Sequence, residues 1–306
     1  MEEGDQLMRR PTPIVGIAVA FLLIMMVVSV GSPLAYATGP PTLDGNTRDT
    51  CFGTSLTSPV SCTISTNNSG DLLVVEEVVI GASPSLGTVS CSGLSCPTTF
   101  TSRATATSSG ATTITTIGDF DAQASSSGLL NGVTVSATFS GTSTGAMIIA
   151  FAVTNFDTTT PFAIASDVTG AANSGTASTP VTSVPVTTSN TEIMVVGMEG
   201  DQGRSVESAG SGFTIISSGA SSLTLIGTAA AESKAVTGSC QLGCTVSFGA
   251  STSDWAVIGT AINSPSSIPE FPFGALPLLA IVPIVYVLLR GRRPQSKAVP
   301  LLLISP

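Results

Sequence analysis

The sequence predicts an all-β protein: a β-sandwich or jelly-roll-like extracellular domain set between an N-terminal signal helix and a C-terminal transmembrane helix. Three observations carry the β expectation. Charged residues make up only 9% of the 306 residues, too few to give amphipathic helices a polar face of Glu, Lys and Arg. Ser, Thr, Gly, Ala and Val fill the chain instead, a mix that suits strands and turns. Short apolar runs also recur between clusters of Ser, Gly, Thr and Pro, which are turn formers.

The strand pattern begins at residues 72–80, LLVVEEVVI, an apolar run interrupted by Glu76 and Glu77. Val133, Val135, Ala137 and Phe139 alternate with small or polar residues, as expected of a half-buried strand. Residues 146–153 are apolar at every position and read as a central strand. Residues 192–198, 213–216, 223–226, 246–248 and 255–262 complete a set of roughly ten strands. Two stretches echo each other. DLLVV at 71–75 resembles EIMVV at 192–196, and TVSATFSGTSTGAMIIAFAV resembles TVSFGASTSDWAVIGTAI. Repeated strand pairs within one sandwich explain the echo as well as duplicated domains do. One domain over residues 38–263 is therefore expected, with 161–185 as a long crossing loop and two small sandwiches as the alternative.

The two ends set the topology. A bilayer needs about 20 apolar residues in a helix that satisfies its own backbone, and only two stretches qualify. Residues 14–30 follow Arg9 and Arg10 and lead to Ala35-Tyr36-Ala37, a small-x-small cleavage pattern. Residues 1–37 thus read as a signal peptide cut after Ala37, with an uncleaved signal anchor as the alternative. The acidic MEEGDQL is unusual before an h-region, so translation is expected to begin at Met8. At the other end, residues 273–289 are followed by Arg290, Arg292, Arg293 and Lys297, and positive charge marks the cytoplasmic side of a span. Both ends place the middle outside the cell. The plan is a linker at 264–270, a transmembrane helix at 271–289 and a basic cytoplasmic tail at 290–306.

Ile268-Pro269-Glu270-Phe271-Pro272, leading into GALPLLAIVPIVYVLLRGRR, resembles an archaeal PEF-type C-terminal sorting signal. The tetrapeptide, the following Leu-Pro, the apolar helix and the basic stop occur in the family's order. The tail PQSKAVPLLLISP runs on past the basic cluster, further than such signals usually do. The resemblance implies a membrane transpeptidase of the archaeosortase kind, which would cut near Pro269, Glu270, Phe271 and Pro272 and transfer the protein to lipid. Retention as a membrane helix is the alternative. The order of the strand motifs is also diffusely similar to secreted concanavalin-like or jelly-roll surface domains.

All six cysteines lie between the two apolar ends, as expected of disulfides formed in an oxidising space. Local pairing is the simplest arrangement: Cys51 with Cys62, Cys91 with Cys96, and Cys240 with Cys244. A metal site is disfavoured, because the spacings are not CxxC knuckles and the chain has no His.

The net charge of -9 would repel a phosphate backbone, so nucleic acid is not an expected partner. Without His there is no Ser-His triad and no His metal centre. Ser233 and Lys234 are adjacent, so on a strand they point to opposite faces and cannot form a dyad. Asp119 with Asp121, or Glu76 with Glu77, could serve as glycosidase carboxylates or calcium ligands. Asp44-Gly45-Asn46-Thr47-Arg48-Asp49 gathers oxygen-bearing side chains in a turn but lacks the length of an EF-hand loop. Trp255 is the sole Trp and begins an apolar strand, where it is expected to fill core rather than stack on a sugar. Asn67-Asn68-Ser69 is an N-glycosylation sequon. No catalytic residue, cofactor or metal is assigned. The expected function is structural, adhesive or envelope-interacting, with membrane lipid, an archaeosortase-like enzyme, and envelope proteins or glycans as partners. A carbohydrate- or solute-binding module and a secreted hydrolase using acidic residues are the alternatives.

Overall fold

A computed structural model describes residues 39–108, 113–162, 171–175, 180–182, 186, 192–203, 208–221, 227–237, 244–250 and 254–265. The apolar segments, Ala35 and Ala37, Cys240, Pro269, Glu270, Phe271 and Pro272, and Arg290, Arg292 and Arg293 lie outside the described residues. So does the expected strand at 223–226. Among the described residues every regular element is a β-strand, and no helix is long and apolar enough to cross a membrane. The strands are β1 (Thr42–Leu43), β2 (Thr50–Ser55), β3 (Val60–Ile64), β4 (Leu72–Ser92), β5 (Thr101–Thr107), β6 (Ile114–Gln123) and β7 (Val133–Thr154). They continue with β8 (Ala171–Gly175), β9 (Pro180–Thr182), β10 (Glu192–Asp201), β11 (Thr214–Ala220), β12 (Thr228–Thr237), β13 (Ser247–Ala250) and β14 (Trp255–Asn263). All ladders are antiparallel.

Two strands are far longer than the sequence pattern suggests. β4 runs for 21 residues and β7 for 22. The pattern divides β7 in two at SGTSTG, because Gly and Ser usually mark turns. Here they bend one strand instead. Gly141 takes a φ of 80°, open to glycine at no steric penalty, while β4 stays hydrogen-bonded across the bend. Residues 72–81 pair with 143–153, and residues 83–92 pair with 134–142. The sheet thereby folds over on itself. β2 borders the later part of β7 and β3 the earlier part, and the Cys51–Cys62 disulfide joins them. Leu73, Val75, Ile148 and Ala150 from one layer close on Val60, Ile64, Val133 and Val135 from the other.

The second sheet has the order β8-β14-β10-β12-β11, and the first contains β2-β7-β4-β6-β5. These are one topology written twice. β9 pairs with β13 as β3 pairs with the early part of β7, and the Val186↔Cys244 bridge matches Ile64↔Val133. The expected crossing loop at 161–185 is corrected accordingly, since it contains β8 and β9. Its polar Ser, Thr and Gly composition hid strands whose pairing comes from neighbours distant in sequence.

The two sheets pack through the same face of each. Val74, Val78, Met147 and Phe151 meet Met194, Met198, Ile258 and Ile262 in a common core. Contacts are reciprocal: β6 lies on β14 and β12 on β7, while β5 lies on β8 and β11 on β2. Such self-complementarity is the signature of a twofold relation. Strand order reverses across the interface, so the relating axis runs along the strands. The last residues of β7 and β14 therefore reach the same end, where the Asp157 N–H donates to the Asn263 carbonyl at 2.9 Å.

Candidate functional site

The polar centre of the molecule is a carboxyl cluster between the sheets. Glu76 and Glu77 point to opposite faces, as adjacent strand residues must. Glu76 falls on the face of Val74 and Val78, which lines the inter-sheet core, and Glu77 on the face of Val75 and Val79. Both are fully buried. Glu76 sits directly opposite Asp119 on β6, and Asp119 and Asp121 share the Ile117 face. The constellation is thus Glu76, Asp119 and Asp121, which neither pair offered by sequence spacing contains whole.

Arg103 on β5 completes it. A register shift between Ser102 and Ala104 sets this residue apart, and its guanidinium grips Asp121 bidentately. Nε donates to Oδ1, and Nη2 to Oδ2 at 3.1 Å. The same guanidinium stacks 4.2 Å from the centre of the Phe162 ring, an arrangement that favours the cation. Arg103 is not among the candidates drawn from sequence. One signal could have found it: it is the only Lys or Arg between Arg48 and Arg204 in a chain of net charge -9.

Burial dominates the electrostatics. It raises Glu76 well above the ordinary glutamate range, with the nearby Asp119 charge pushing the same way. Burial lifts Asp119 to about 8; the Asp121 charge adds to the rise and Arg103 opposes it. Asp121 is raised by burial and held back by Arg103. The carboxyl oxygens of Glu76 and Asp119 have no hydrogen-bond partner. Both groups keep their protons at neutral pH, because an isolated buried carboxylate is far costlier than a neutral acid. Solvent reaches neither carboxyl in this arrangement.

A second pair of acids repeats in the two sheets. Glu77 stands opposite Gly118, whereas in the other sheet Glu232 stands opposite Gly197. The Glu and the Gly have exchanged strands. Each acid faces a segment folded over its own sheet. Glu232 Oε2 accepts the Gly210 N–H at 2.8 Å, and Glu77 lies near the Gly87 N–H without reaching hydrogen-bond geometry. Burial raises Glu77 to about 8 and Glu232 to about 7, with these N–H groups opposing the rise.

The loop offered as a calcium site spends its oxygens on the backbone. Asp44 accepts the N–H groups of Asn67 at 2.5 Å and Asn68 at 2.9 Å, and the Asn68 amide at 2.6 Å. Asp49 accepts the Gly45 N–H at 2.8 Å. Asp71 lies beside Asp44 and Thr154, and burial with its acidic neighbours lifts it to about 8. Among the described residues, no three His, Cys, Asp or Glu side chains converge to hold a metal ion. Asn67 is exposed and its Oδ1 accepts from Asn46 Nδ2 at 3.0 Å.

Cys51 is bonded to Cys62 and Cys91 to Cys96. Cys244 is disulfide-bonded, and its expected partner Cys240 lies outside the described residues. Lys234 is exposed, 5.6 Å over the Phe213 ring, and Trp255 is buried with Val195, Val257 and Phe248. The cleft at the seam of the sheets, lined by Ser55, Ile80, Met147, Ser221 and Gly227, has room for about one water. Comparison with protein families, curated proteins and solved structures finds no match to this chain.

Proposed function

We propose that this chain is an exported, membrane-anchored component of an archaeal-type cell envelope, with a structural or adhesive role and no catalysis. The observation that carries the reading is the agreement between its ends. Arg9 and Arg10 precede one apolar segment, and Arg290, Arg292 and Arg293 follow the other, so both assign the middle to the exterior. The disulfides of that middle support the same compartment.

In this reading the exported region is one domain of two jelly-roll-like halves that share a core. Counting the bent halves of β4 and β7 separately, the first unit has eight strand segments. Leaving out the short β1, one layer runs first, eighth, third, sixth, fifth, and the other second, seventh, fourth. The two layers resemble a jelly roll but depart from it in the fifth segment, which pairs with the sixth, and the second unit repeats the same order.

The test is surface fractionation in an archaeal host with cross-linking. Labelling by a membrane-impermeant biotin reagent, together with blocked thiols and cross-links to envelope neighbours, is the expected result. Intact chains in the cytosol with six reactive thiols would overturn the reading. Mass spectrometry of the mature C-terminus then separates the two anchors. Loss of peptides beyond Arg293 favours transfer to lipid by an archaeosortase-like enzyme, and their recovery favours a retained helix.

A further inference from the structure

The described residues contain three exposed large apolar side chains: Leu94 at 87%, Leu129 at 47% and Leu56 at 45% exposure. Two of them stand together. Leu94 crowns the turn closed by the Cys91–Cys96 disulfide, where Ser95 takes a φ of 64°. The Ser125 N–H donates to the Ser95 carbonyl at 3.0 Å, which ties this turn to the loop bearing Leu129. Residues 92–95 and 125–129 carry no charge.

The tip stands at the end where the chain leaves the domain. Leu43, Val153, Leu72 and Gln123 form one row across four strands. From Gln123 the chain enters the Leu129 loop, and the Ala124 N–H donates to the Asp71 carbonyl at 2.8 Å. Beyond Val153, Asn155 Nδ2 donates to the Gly39 carbonyl at 2.7 Å, and Asp157 holds Asn263 at 2.9 Å. Gly39 and Asn263 thus flank the same end as Leu94 and Leu129. Leu56 lies at the opposite end, beyond the Ser55↔Ala146 pair. From Pro265 to the apolar run at Phe273 the chain can span at most about 28 Å, even fully extended.

We propose that Leu94 and Leu129 form an apolar tip that rests in the outer leaflet of the membrane holding this chain, so that the ectodomain is docked on lipid as well as tethered to it. The proposal rests on the anchor reading above. A short tether keeps the tip-bearing end near the bilayer. Two uncharged leucines, one on a disulfide-closed turn and one on the loop hydrogen-bonded to it, suit lipid, because their burial removes apolar surface from water without stripping a charge of its hydration.

The test uses the full chain reconstituted in phosphatidylcholine vesicles whose acyl chains carry bromine. Leu94→Trp, Leu129→Trp and Leu56→Trp are prepared separately, and the fluorescence of the buried Trp255 in the unsubstituted chain is subtracted. Position 56 is the control, equally apolar at the opposite end. Tryptophan at 94 and at 129 is expected to shift to the blue and lose at least half its emission to brominated lipid, while position 56 keeps its emission. If the chain stays with the vesicles through an alkaline carbonate wash but 94 and 129 are quenched no more than 56, lipid docking is overturned and the anchor stands. The tip then faces water or a neighbouring protein. If the chain washes off, the anchor reading falls and the proposal falls with it.

Discussion

Glu76 and Asp119 face each other across the β4–β6 ladder, both fully buried and both without a hydrogen-bond partner. Two acids so placed are tolerated only as neutral groups, since like charges at cross-strand distance in a dry core repel strongly. In the unfolded chain these carboxyls ionise near pH 4, whereas Asp119 and Glu77 hold their protons to about 8 in the fold. The folded state therefore binds more protons through this interval. Stability is full below about pH 4 and falls as pH rises toward and through about 8, by on the order of several kcal/mol over the interval. Thermal unfolding followed from pH 4 to 9 checks this. Asp119→Asn should flatten the curve and raise Tm at pH 9, and a Tm that climbs with pH would contradict the assignment.

Arg103 has a different pH signature. Its guanidinium is one-third exposed while Asp121 is buried, so the pair is worth less than a fully buried bridge but more than a surface one. Arg103→Ala should destabilise by about 1–3 kcal/mol at pH 7, leaving the buried Asp121 without its partner. Burial raises the Asp121 pKa, so the penalty should shrink as pH falls toward 4 and the acid takes up its proton. Pairing the change with Asp121→Asn should recover part of the loss at pH 7. Denaturant titrations of the two variants at both pH values measure it, and an equal penalty at pH 4 and pH 7 would show that the ion pair is not its source.

The bends that fold the first sheet over leave no room for side chains. A Cβ at Gly81 would overlap the Thr142 carbonyl and crowd Ser143 on the facing strand. Backbone cannot withdraw as a flexible side chain can. Gly81→Ala is expected to destabilise by about 2 kcal/mol or more. Gly132→Ala provides the contrast: a Cβ there meets nothing within 4 Å, so its loss should come only from the φ of 60° and stay near 1 kcal/mol. Chemical denaturation ranks the two, and a larger loss at Gly132 would refute the steric account.

The Cys51–Cys62 bond ties β2 to β3, which otherwise meet only through β7 and side-chain packing. It closes a loop with a sequence separation of 11, for which loop entropy gives about 3 kcal/mol. Replacing both cysteines with Ser should lower stability by about that amount while the far-ultraviolet spectrum keeps its β character. The smaller Cys91–Cys96 ring, with a separation of 5, should contribute less when removed in the same way. A larger loss from the smaller ring would mean that strain or packing, not chain entropy, decides its contribution.

Local features of this chain were legible without its fold. Cys51 with Cys62 and Cys91 with Cys96 lie so close in sequence that few other partners compete for them. The apolar run at 146–153 and the alternation from Val133 to Phe139 each named a strand, because side-chain period is a property of neighbouring residues. The same period sends Glu76 and Glu77 opposite ways, but it does not say that both sides are interior. That depended on a second sheet covering one face and the folded-over half of the first sheet covering the other. In the same way, Gly141 reads as a turn until β4 pairs across it, and residues 161–185 read as a loop until β14 and β13 supply the ladders of β8 and β9. Periodicity states which residues share a face; only the long-range competition among all faces for burial decides which are kept from water, and that is settled by the whole chain at once.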